Sequence, residues 1–157
     1  MLNIEKLSSF LVEAKKATYA SGESAGKIIE KDGSTSLFFE KDGWRYHDNY
    51  FGGEPFGGRE VVFLDNNPVY MMVYYGAVNK SVSAVGDIYK ILQEALSRIP
   101  LERPFRGPNE YENNGLVYKN TYSGDVELFS GEEIIISADG KELYKARYTG
   151  GFICQRN

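Results

Sequence analysis

Residues 43–76 read GWRYHDNYFGGEPFGGREVVFLDNNPVYMMVYYG, and this stretch decides the fold because a similar one follows later in the chain. Residues 115–150 read GLVYKNTYSGDVELFSGEEIIISADGKELYKARYTG. Both contain Tyr-x-Asp/Asn-x-Tyr-x-Gly, then Phe-x-Gly-x-Glu, a turn, and Tyr-x-x-x-Tyr-x-Gly. So many matches in the same order predict a tandem duplication. Alternating residues separated by turn signals predict an antiparallel meander of three strands in each copy.

A helix is predicted before each meander, because apolar residues recur there at helical spacing. These residues are Ile4, Leu7, Phe10, Leu11 and Ala14 in the first helix and Val85, Ile88, Leu92, Ala95, Leu96 and Ile99 in the second. A further strand at 36–40 leads into Asp42-Gly43, a strong hairpin signal.

The fold class follows from these elements. We predict an α+β fold: a tandem duplication of a helix plus a three-stranded antiparallel meander, with about seven strands in a largely antiparallel sheet and two helices packed on it. The length of 157 residues suits one core. We therefore expect 1–157 to be a single domain made of two pseudo-repeats, 1–80 and 81–157.

Charge and composition exclude several classes of partner. The net charge is −4, and Lys15-Lys16 on the first predicted helix is the only basic cluster, so we expect no direct binding of nucleic acid. No apolar run reaches membrane-spanning length and the first residues lack the order of a signal peptide, so we expect no membrane association and a cytoplasmic location. The single cysteine, Cys154, cannot form an internal disulfide or a zinc cluster. We predict no metal site and no cofactor.

A candidate ligand site lies on the strand that holds the only tryptophan. Alternation places Trp44, Tyr46, Asp48 and Tyr50 on one face. A carboxylate among aromatic rings needs hydrogen-bond partners or it lowers stability. Either Asp48 bonds to the backbone of a neighbouring turn, or it faces a pocket lined by these aromatic side chains.

Two more charged residues are candidates for the same site. Glu60 follows a glycine at the start of a strand, as Glu133 does, and is either a structural carboxylate or a general acid/base acting with Asp48. Arg106 belongs to a proline-held basic corner that could bind an anion or pair with Glu60 or Asp48. The predicted ligand-binding residues are Trp44, Tyr46, Asp48, Tyr50, Glu60 and Arg106, and no catalytic residue is assigned.

The glycine-rich loop at 52–58 is a weak match to a phosphate-binding loop. A strand follows it, whereas nucleotide fingerprints need a helix there. Its glycines suit a tight connection between strands. The only histidine, His47, alternates to the face opposite Trp44 and has no nucleophile and acid beside it in the pattern of a catalytic triad.

One strand of the first copy is apolar on both of its faces. Its second face consists of Val69, Met71, Val73 and Tyr75. Such a strand is either buried on both sides or lies under a partner. Either the segment 100–114 covers these four residues, or they form the interface of a homodimer.

Several motifs together resemble a family that is described only as a domain of unknown function, from bacteria and archaea. They are Glu13-Ala14-Lys15-Lys16-Ala17-Thr18-Tyr19-Ala20, Tyr50-Phe51-Gly52-Gly53, Phe56-x-Gly58-x-Glu60, Tyr74-Tyr75-Gly76, Arg106-Gly107-Pro108 and Gly150-Gly151. The resemblance implies that some relatives carry a helix-turn-helix domain of the XRE regulator type in front of this one, and hence a regulatory role. The present chain begins with its own first helix, so direct DNA binding is not implied for it.

Three functions are compatible with these patterns. The leading hypothesis is a non-enzymatic small-molecule-binding or regulatory sensor module. The alternatives are an enzyme that uses Asp48 and Glu60 as a carboxylate pair, and a homo-oligomerising interaction protein.

Overall fold

The computed structural model describes residues 1–24 and 26–155, and in these it contains two α-helices and nine strands. The helices are α1 (Ile4–Ala17) and α2 (Val85–Leu96), and a short 3-10 turn at Tyr19–Ser24 follows α1. The strands are β1 (Ile28–Ile29), β2 (Thr35–Lys41), β3 (Trp44–Gly52), β4 (Phe56–Leu64), β5 (Asn67–Val78), β6 (Glu110–Asn113), β7 (Leu116–Asp125), β8 (Leu128–Ser137) and β9 (Glu142–Phe152).

All of these strands form one antiparallel sheet in the order β1-β2-β3-β4-β5-β9-β8-β7-β6. Each strand pairs with a neighbour in sequence except at the centre, where β5 pairs with β9. The register of this central pair runs from Tyr70 opposite Phe152 to Val78 opposite Tyr144. The α+β class and the antiparallel sheet predicted from the sequence are confirmed.

The predicted strand number and the predicted repeating unit are wrong. Within the described residues, five strands (β1–β5) follow α1 and four (β6–β9) follow α2, so the chain is not a tandem duplication of a helix plus a three-stranded meander. Strands take up 49% of the chain and helices 20%, which makes this a sheet-dominated fold with more than the expected seven strands.

The two edge strands carry little signal in the sequence. β1 is two residues long and exposes both isoleucines, and β6 reads Glu-Tyr-Glu-Asn. Neither has the run of alternating apolar residues by which a strand is recognised. Backbone pairing places both strands, with Ile28 opposite Ser36 and Tyr111 opposite Tyr118. Hydrogen bonds from Tyr111 and Asn113 to Glu94 Oε2 also attach β6 to α2.

Both helices pack on the same face of the sheet, which we call the inner face; the other is the outer face. α1 begins after Asn3, whose side chain accepts a hydrogen bond from Lys6 N at 2.9 Å, as expected of an N-cap. Its buried stripe, Leu7, Phe10, Leu11 and Ala14, packs on Trp44, Tyr46, Val62 and Tyr70. The stripe of α2, Ile88, Ile91, Leu92, Ala95 and Leu96, packs on Tyr118, Ile135, Tyr144 and Ala146.

The connection from α2 to β6 also packs on the inner face. Phe105 is fully buried and stacks on Phe129 of β8, with ring centroids 3.8 Å apart and planes at 8°. Its carbonyl oxygen accepts a hydrogen bond of 2.6 Å from Lys15 Nζ of α1. This segment therefore does not cover the second face of β5, which is one of the two alternatives that the sequence left open.

Three of the four residues of that second face, Met71, Val73 and Tyr75, lie on the outer face at the centre of the sheet. Val69 lies at the bulge between β4 and β5 and packs on the core under α1 instead. Val69 and Met71 are half-buried, Val73 is 41% exposed and Tyr75 is 61% exposed. Val73 and Tyr75 line a shallow groove of about 780 Å³ that extends across β9 and β8 to β7. In the described part of the chain, neither helix has the length and apolar character needed to cross a bilayer.

Candidate functional site

A cavity of about 240 Å³ lies between the inner face of the sheet and α2. Four of the six predicted ligand-binding residues line it: Asp48, Tyr50, Glu60 and Arg106. The remaining walls come from Tyr19, Lys27, Gly52, Gly53, Phe56, Tyr74, Tyr89 and Gln93. The cavity thus has contributions from the sheet, the 3-10 turn, the glycine-rich loop, α2 and the segment that carries Arg106.

Trp44 and Tyr46, the other two predicted residues, lie on the inner face beyond the cavity. Trp44 stacks on Phe10 of α1, with ring centroids 5.6 Å apart. Tyr46 is 1% exposed and belongs to the core under α1. The alternation rule placed them on the correct face, but α1 covers this end of β3.

Asp48 and Glu60 are directly opposite each other on β3 and β4. Directly opposed residues of an antiparallel pair project on the same side, so the two carboxylates are neighbours on the inner face. Both are buried, with 3% and 4% of their surface exposed. Tyr74 of β5 donates a hydrogen bond from its hydroxyl to Asp48 Oδ1 at 2.6 Å.

The surroundings of Asp48 favour its neutral form. Burial is the largest cause that raises the pKa of Asp48 from 3.8 to about 7, and the charge of Glu60 raises it further. The hydrogen bond from Tyr74 and the positive charges of Arg106 and Lys15 act in the opposite direction. Asp48 is therefore a carboxyl group that changes protonation near neutral pH.

Lys15 is the basic partner of Glu60. Its Nζ lies 2.8 Å from Glu60 Oε2, and both side chains are less than a tenth exposed. Burial lowers the pKa of Lys15, and Glu60 partly opposes this effect. Buried ion pairs persist only when the charges are well matched, because leaving water is costly for both.

Arg106 has a separate acidic partner, Glu133 of β8. Arg106 Nη2 and Nε donate to Glu133 Oε1 at 2.5 Å and 3.1 Å. Two tyrosines complete this buried group, since Tyr118 donates to Glu133 Oε2 at 2.6 Å and Tyr144 to Oε1 at 2.9 Å. The sequence left two alternatives for Arg106, an anion or an ion pair with Glu60 or Asp48. Its ion pair is with Glu133 instead.

The glycine-rich loop forms one wall of the cavity and is attached to α2. The hydroxyl of Tyr89 of α2 donates a hydrogen bond to Glu54 Oε2 and lies 2.8 Å from Gly53 O, within hydrogen-bond distance. The other oxygen of Glu54 accepts from Val78 N at 2.7 Å. Gly52 has a φ of +83°, and a Cβ there would overlap the carbonyl oxygen of Pro55, so this turn requires glycine. The loop is a connection between strands, and its polar groups hold the cavity wall.

A hydrogen bond analogous to the one between Tyr74 and Asp48 occurs on β7, a strand that does not line the cavity. Tyr148 donates from its hydroxyl to Asn120 Oδ1 at 2.6 Å. Asn120 Nδ2 donates to the carbonyl oxygen of Gly107 at 3.1 Å. At this position the chain's own backbone satisfies the second polar atom of the side chain, whereas the second oxygen of Asp48 makes no hydrogen bond within the described residues.

Sequence reasoning missed Lys15, Tyr19, Tyr89 and Gln93. Tyr89 and Gln93 lie one helical turn apart on α2 and so present one face, which is the signal that could have paired them. The sequence analysis considered Lys15 only as half of the basic pair Lys15-Lys16 on the first predicted helix. Only the packing of α1 against the sheet distinguishes it from its neighbour Lys16, which is exposed.

A comparison with protein families found a match that covers most of the chain. A family model described as a domain of unknown function, DUF5680, matches residues 48–153. The chain belongs to the DUF5680 family. The resemblance predicted from the sequence is confirmed to this extent, and the matched range begins at Asp48 and includes Glu60, Tyr74, Tyr89 and Arg106. Searches of curated proteins and of solved structures found no match.

Proposed function

We propose that this DUF5680 protein is a small-molecule-binding module whose ligand occupies the cavity between the inner face and α2. The observation that carries the proposal is a buried carboxyl group, Asp48, that lines the cavity and has one oxygen free of hydrogen bonds from the described residues. Ligand pockets are concave, mostly apolar, and supplied with a few convergent polar groups. Tyr50, Phe56 and Tyr89 supply the rings here, and Asp48 and Arg106 the polar groups.

A regulatory role is the more specific form of this proposal. The resemblance to bacterial and archaeal relatives with an N-terminal helix-turn-helix domain supports it, because such a regulator needs a ligand-responsive part. The cavity is formed by five separate parts of the chain, among them α2 and the glycine-rich loop. A ligand that contacts both would stabilise their attachment through Tyr89.

Fragment screening by NMR tests the proposal. We expect bound fragments to shift the backbone amide signals of Gly52, Gly53 and Tyr89, which surround the cavity. Native mass spectrometry of the purified protein should in addition reveal any co-purified ligand as mass that is lost on denaturation. Fragments that shift only the signals of the outer groove, at Thr121, Ser130 and Thr149, would contradict the proposal.

An enzyme that uses Asp48 and Glu60 is the second candidate. The observation that favours it is the direct opposition of the two carboxylates, together with the pKa of about 7 at Asp48, since general acid/base groups work best near the operating pH. The ion pair with Lys15 holds the side chain of Glu60 in place beside Asp48. Asp48→Asn and Glu60→Gln should then each abolish turnover in a folded protein, and turnover that survives either change would exclude this mechanism.

A homo-oligomerising interaction protein is the third candidate. The exposure of Val73 and Tyr75 at the centre of the outer face favours it, because apolar side chains in mid-sheet are ordinarily covered. Met71, which is half-buried, extends the same row along β5.

A further inference from the structure

We infer that the cavity selects an organic ammonium cation, with Asp48 as its counter-ion and aromatic rings around it. This inference rests on the proposed binding function and adds the chemical class of the ligand. Three features of the cavity support the inference: the ionic and hydrogen-bond partners of the nearby acids, the aromatic rings in the cavity wall, and the cavity volume.

The acids around the cavity differ in their partners. Glu60 is paired with Lys15 at 2.8 Å, and Glu133 is paired with Arg106 at 2.5 Å. Both oxygens of Glu54 accept hydrogen bonds, one from Val78 N and one from Tyr89.

Asp48 is the exception among these acids. It has no ion pair within the described residues, and its one hydrogen bond there comes from Tyr74 to Oδ1. Its closest charged neighbour across the strands is Glu60, a like charge. A cation in the cavity would supply the missing partner and reduce the repulsion between the two carboxylates.

Aromatic rings border the carboxylate. Tyr50, Phe56 and Tyr89 line the same cavity, and Phe56 and Tyr89 have ring centroids 6.1 Å apart. The faces of such rings attract cations, most strongly where water is excluded. A carboxylate with several rings is the combination that binds alkylammonium groups, whereas a metal ion would require further oxygen ligands.

The volume of the cavity limits the size of the cation. A volume of 240 Å³ corresponds to roughly eight water molecules at their share of liquid volume. The ligand is therefore a small amine with about that number of non-hydrogen atoms. Phenethylamine, which combines a ring with a primary ammonium group, is a suitable probe.

The positive residues of the wall do not favour an anion. Arg106 is committed to Glu133 by two donors, so its charge is already balanced. Lys27 is exposed, where water screens it. A carboxylate ligand would also lie beside the two acids Asp48 and Glu60.

Isothermal titration with three probes of matched shape tests the inference: phenethylamine (cation), 2-phenylethanol (neutral) and phenylacetate (anion). We expect the wild-type protein to bind phenethylamine at least about ten-fold more tightly than either analogue. Asp48→Asn should remove most of this preference. The variant is expected to fold, because Asn120 accepts an equivalent hydrogen bond from Tyr148. Asp42→Asn is the matched control, since it removes an exposed carboxylate from the β2–β3 turn, where a positive φ of 52° suits asparagine.

The pH dependence gives a second readout on the wild-type protein. Phenethylamine stays cationic between pH 5.5 and pH 8 (roughly the range over which Asp48 titrates), so only the protein changes charge. The groups that face Asp48 are Lys15, Tyr19, Tyr46, Glu60, Tyr74 and Arg106. Binding of the cation requires ionised Asp48, so its affinity should rise with pH up to about 7 and then level off.

The outcomes separate this inference from the proposed function. Equal or tighter binding of phenylacetate or phenylethanol would overturn the ammonium inference and leave the binding function standing. If none of the three probes binds at millimolar concentration while fragments still shift the cavity amides, the inference alone is overturned. If neither probes nor fragments act on the cavity, both fail.

Discussion

At the scale of single residues, Asp48 and Asn120 have similar surroundings and differ by one atom. Each accepts a hydrogen bond of 2.6 Å from a tyrosine hydroxyl, Tyr74 in one case and Tyr148 in the other. Asn120 uses its second polar atom on Gly107 O, whereas Asp48 directs its second oxygen to no protein group that the structure describes. An amide would satisfy Tyr74 equally well, so the carboxyl group at position 48 adds the capacity to carry charge.

That capacity has a cost in stability at neutral and alkaline pH. The pKa of Asp48 is higher in the folded protein, at about 7, than its ordinary value of 3.8. The folded state therefore binds more protons than the unfolded state between these values, and stability falls as pH rises through this window. We expect Asp48→Asn to be more stable than wild type at pH 8 by on the order of 2 kcal/mol, or about 5 °C in Tm.

Thermal unfolding of both proteins at pH 5 and pH 8 (about two units below and about one unit above the pKa of Asp48) measures this effect. The advantage of the variant should shrink at the lower pH, where Asp48 is protonated in the folded protein. Asp42→Asn controls for the loss of one negative charge. A pH-independent difference between wild type and Asp48→Asn would show that the folded protein does not perturb this carboxyl group.

Lys15 is the second residue whose burial has measurable consequences. We expect Lys15→Met to lower the free energy of unfolding by about 3 kcal/mol, because Glu60 is left buried without a counter-ion. The double variant Lys15→Met/Glu60→Gln should recover part of this loss, since it removes both charges. Urea unfolding of the two single variants and the double variant gives the coupling between the residues. Additive effects would mean that the 2.8 Å pair contributes nothing.

Sequence analysis predicted Asp48 as a site residue and missed Lys15, for a physical reason. Asp48 and Glu60 lie on strands, where alternation fixes the face of every side chain once one is known. Lys15 lies on a helix, where the angle of packing decides which residues at the edge of the apolar stripe are covered. A lysine there is ordinarily exposed, and only a buried acid on the opposing sheet accounts for its position.

At the scale of secondary-structure elements, close packing between strands depends on single glycines. Gly131 of β8 lies opposite Tyr148 of β9, and a Cβ at Gly131 would overlap the Tyr148 ring. We expect Gly131→Ala to displace this ring, weaken its hydrogen bond to Asn120 and reduce stability by about 2 kcal/mol.

Gly86 in the first turn of α2 is the matched control for that substitution. No atom lies within 4 Å of a Cβ built there, and alanine favours helix over glycine by about 1 kcal/mol. Gly86→Ala should therefore raise Tm while Gly131→Ala lowers it, as read by calorimetry. The same direction of change in both would show that local backbone preference, and not the Tyr148 ring, determines the effect at Gly131.

The elements that sequence analysis missed share one property. β1 and β6 lie at the two edges of the sheet, and none of their side chains is fully buried. Patterns of apolar residues report burial, so they detect β2, β3, β4, β5, β7, β8 and β9 and give no signal at the edges. The cavity could not be predicted from the sequence either. Residues of α2 and the 3-10 turn form part of its walls, and the placement of these elements depends on tertiary packing.

At the scale of the whole molecule, the exposed outer-face side chains of β5, Val73 and Tyr75, determine what a second copy would contact. Val73→Lys should leave the protein folded with stability changed by no more than about 0.5 kcal/mol, because Val73 is 41% exposed. The interface hypothesis requires more: sedimentation velocity should give a larger mass for the wild type than for Val73→Lys. Equal masses would remove β5 as an interface, and loss of folding would place Val73 in the core.

The central pair of strands has a consequence for the order in which the protein can be made. β5 is synthesised well before β9, yet the two are adjacent in the finished sheet, with Tyr74 opposite Tyr148. A nascent chain on the ribosome therefore exposes an unpaired edge of β5, rich in tyrosine, methionine and valine, until β9 has left the exit tunnel. During that interval the edge is a template for intermolecular pairing, so slow translation between β5 and β9 should favour aggregation, and chaperones that shield extended apolar segments should favour the native sheet.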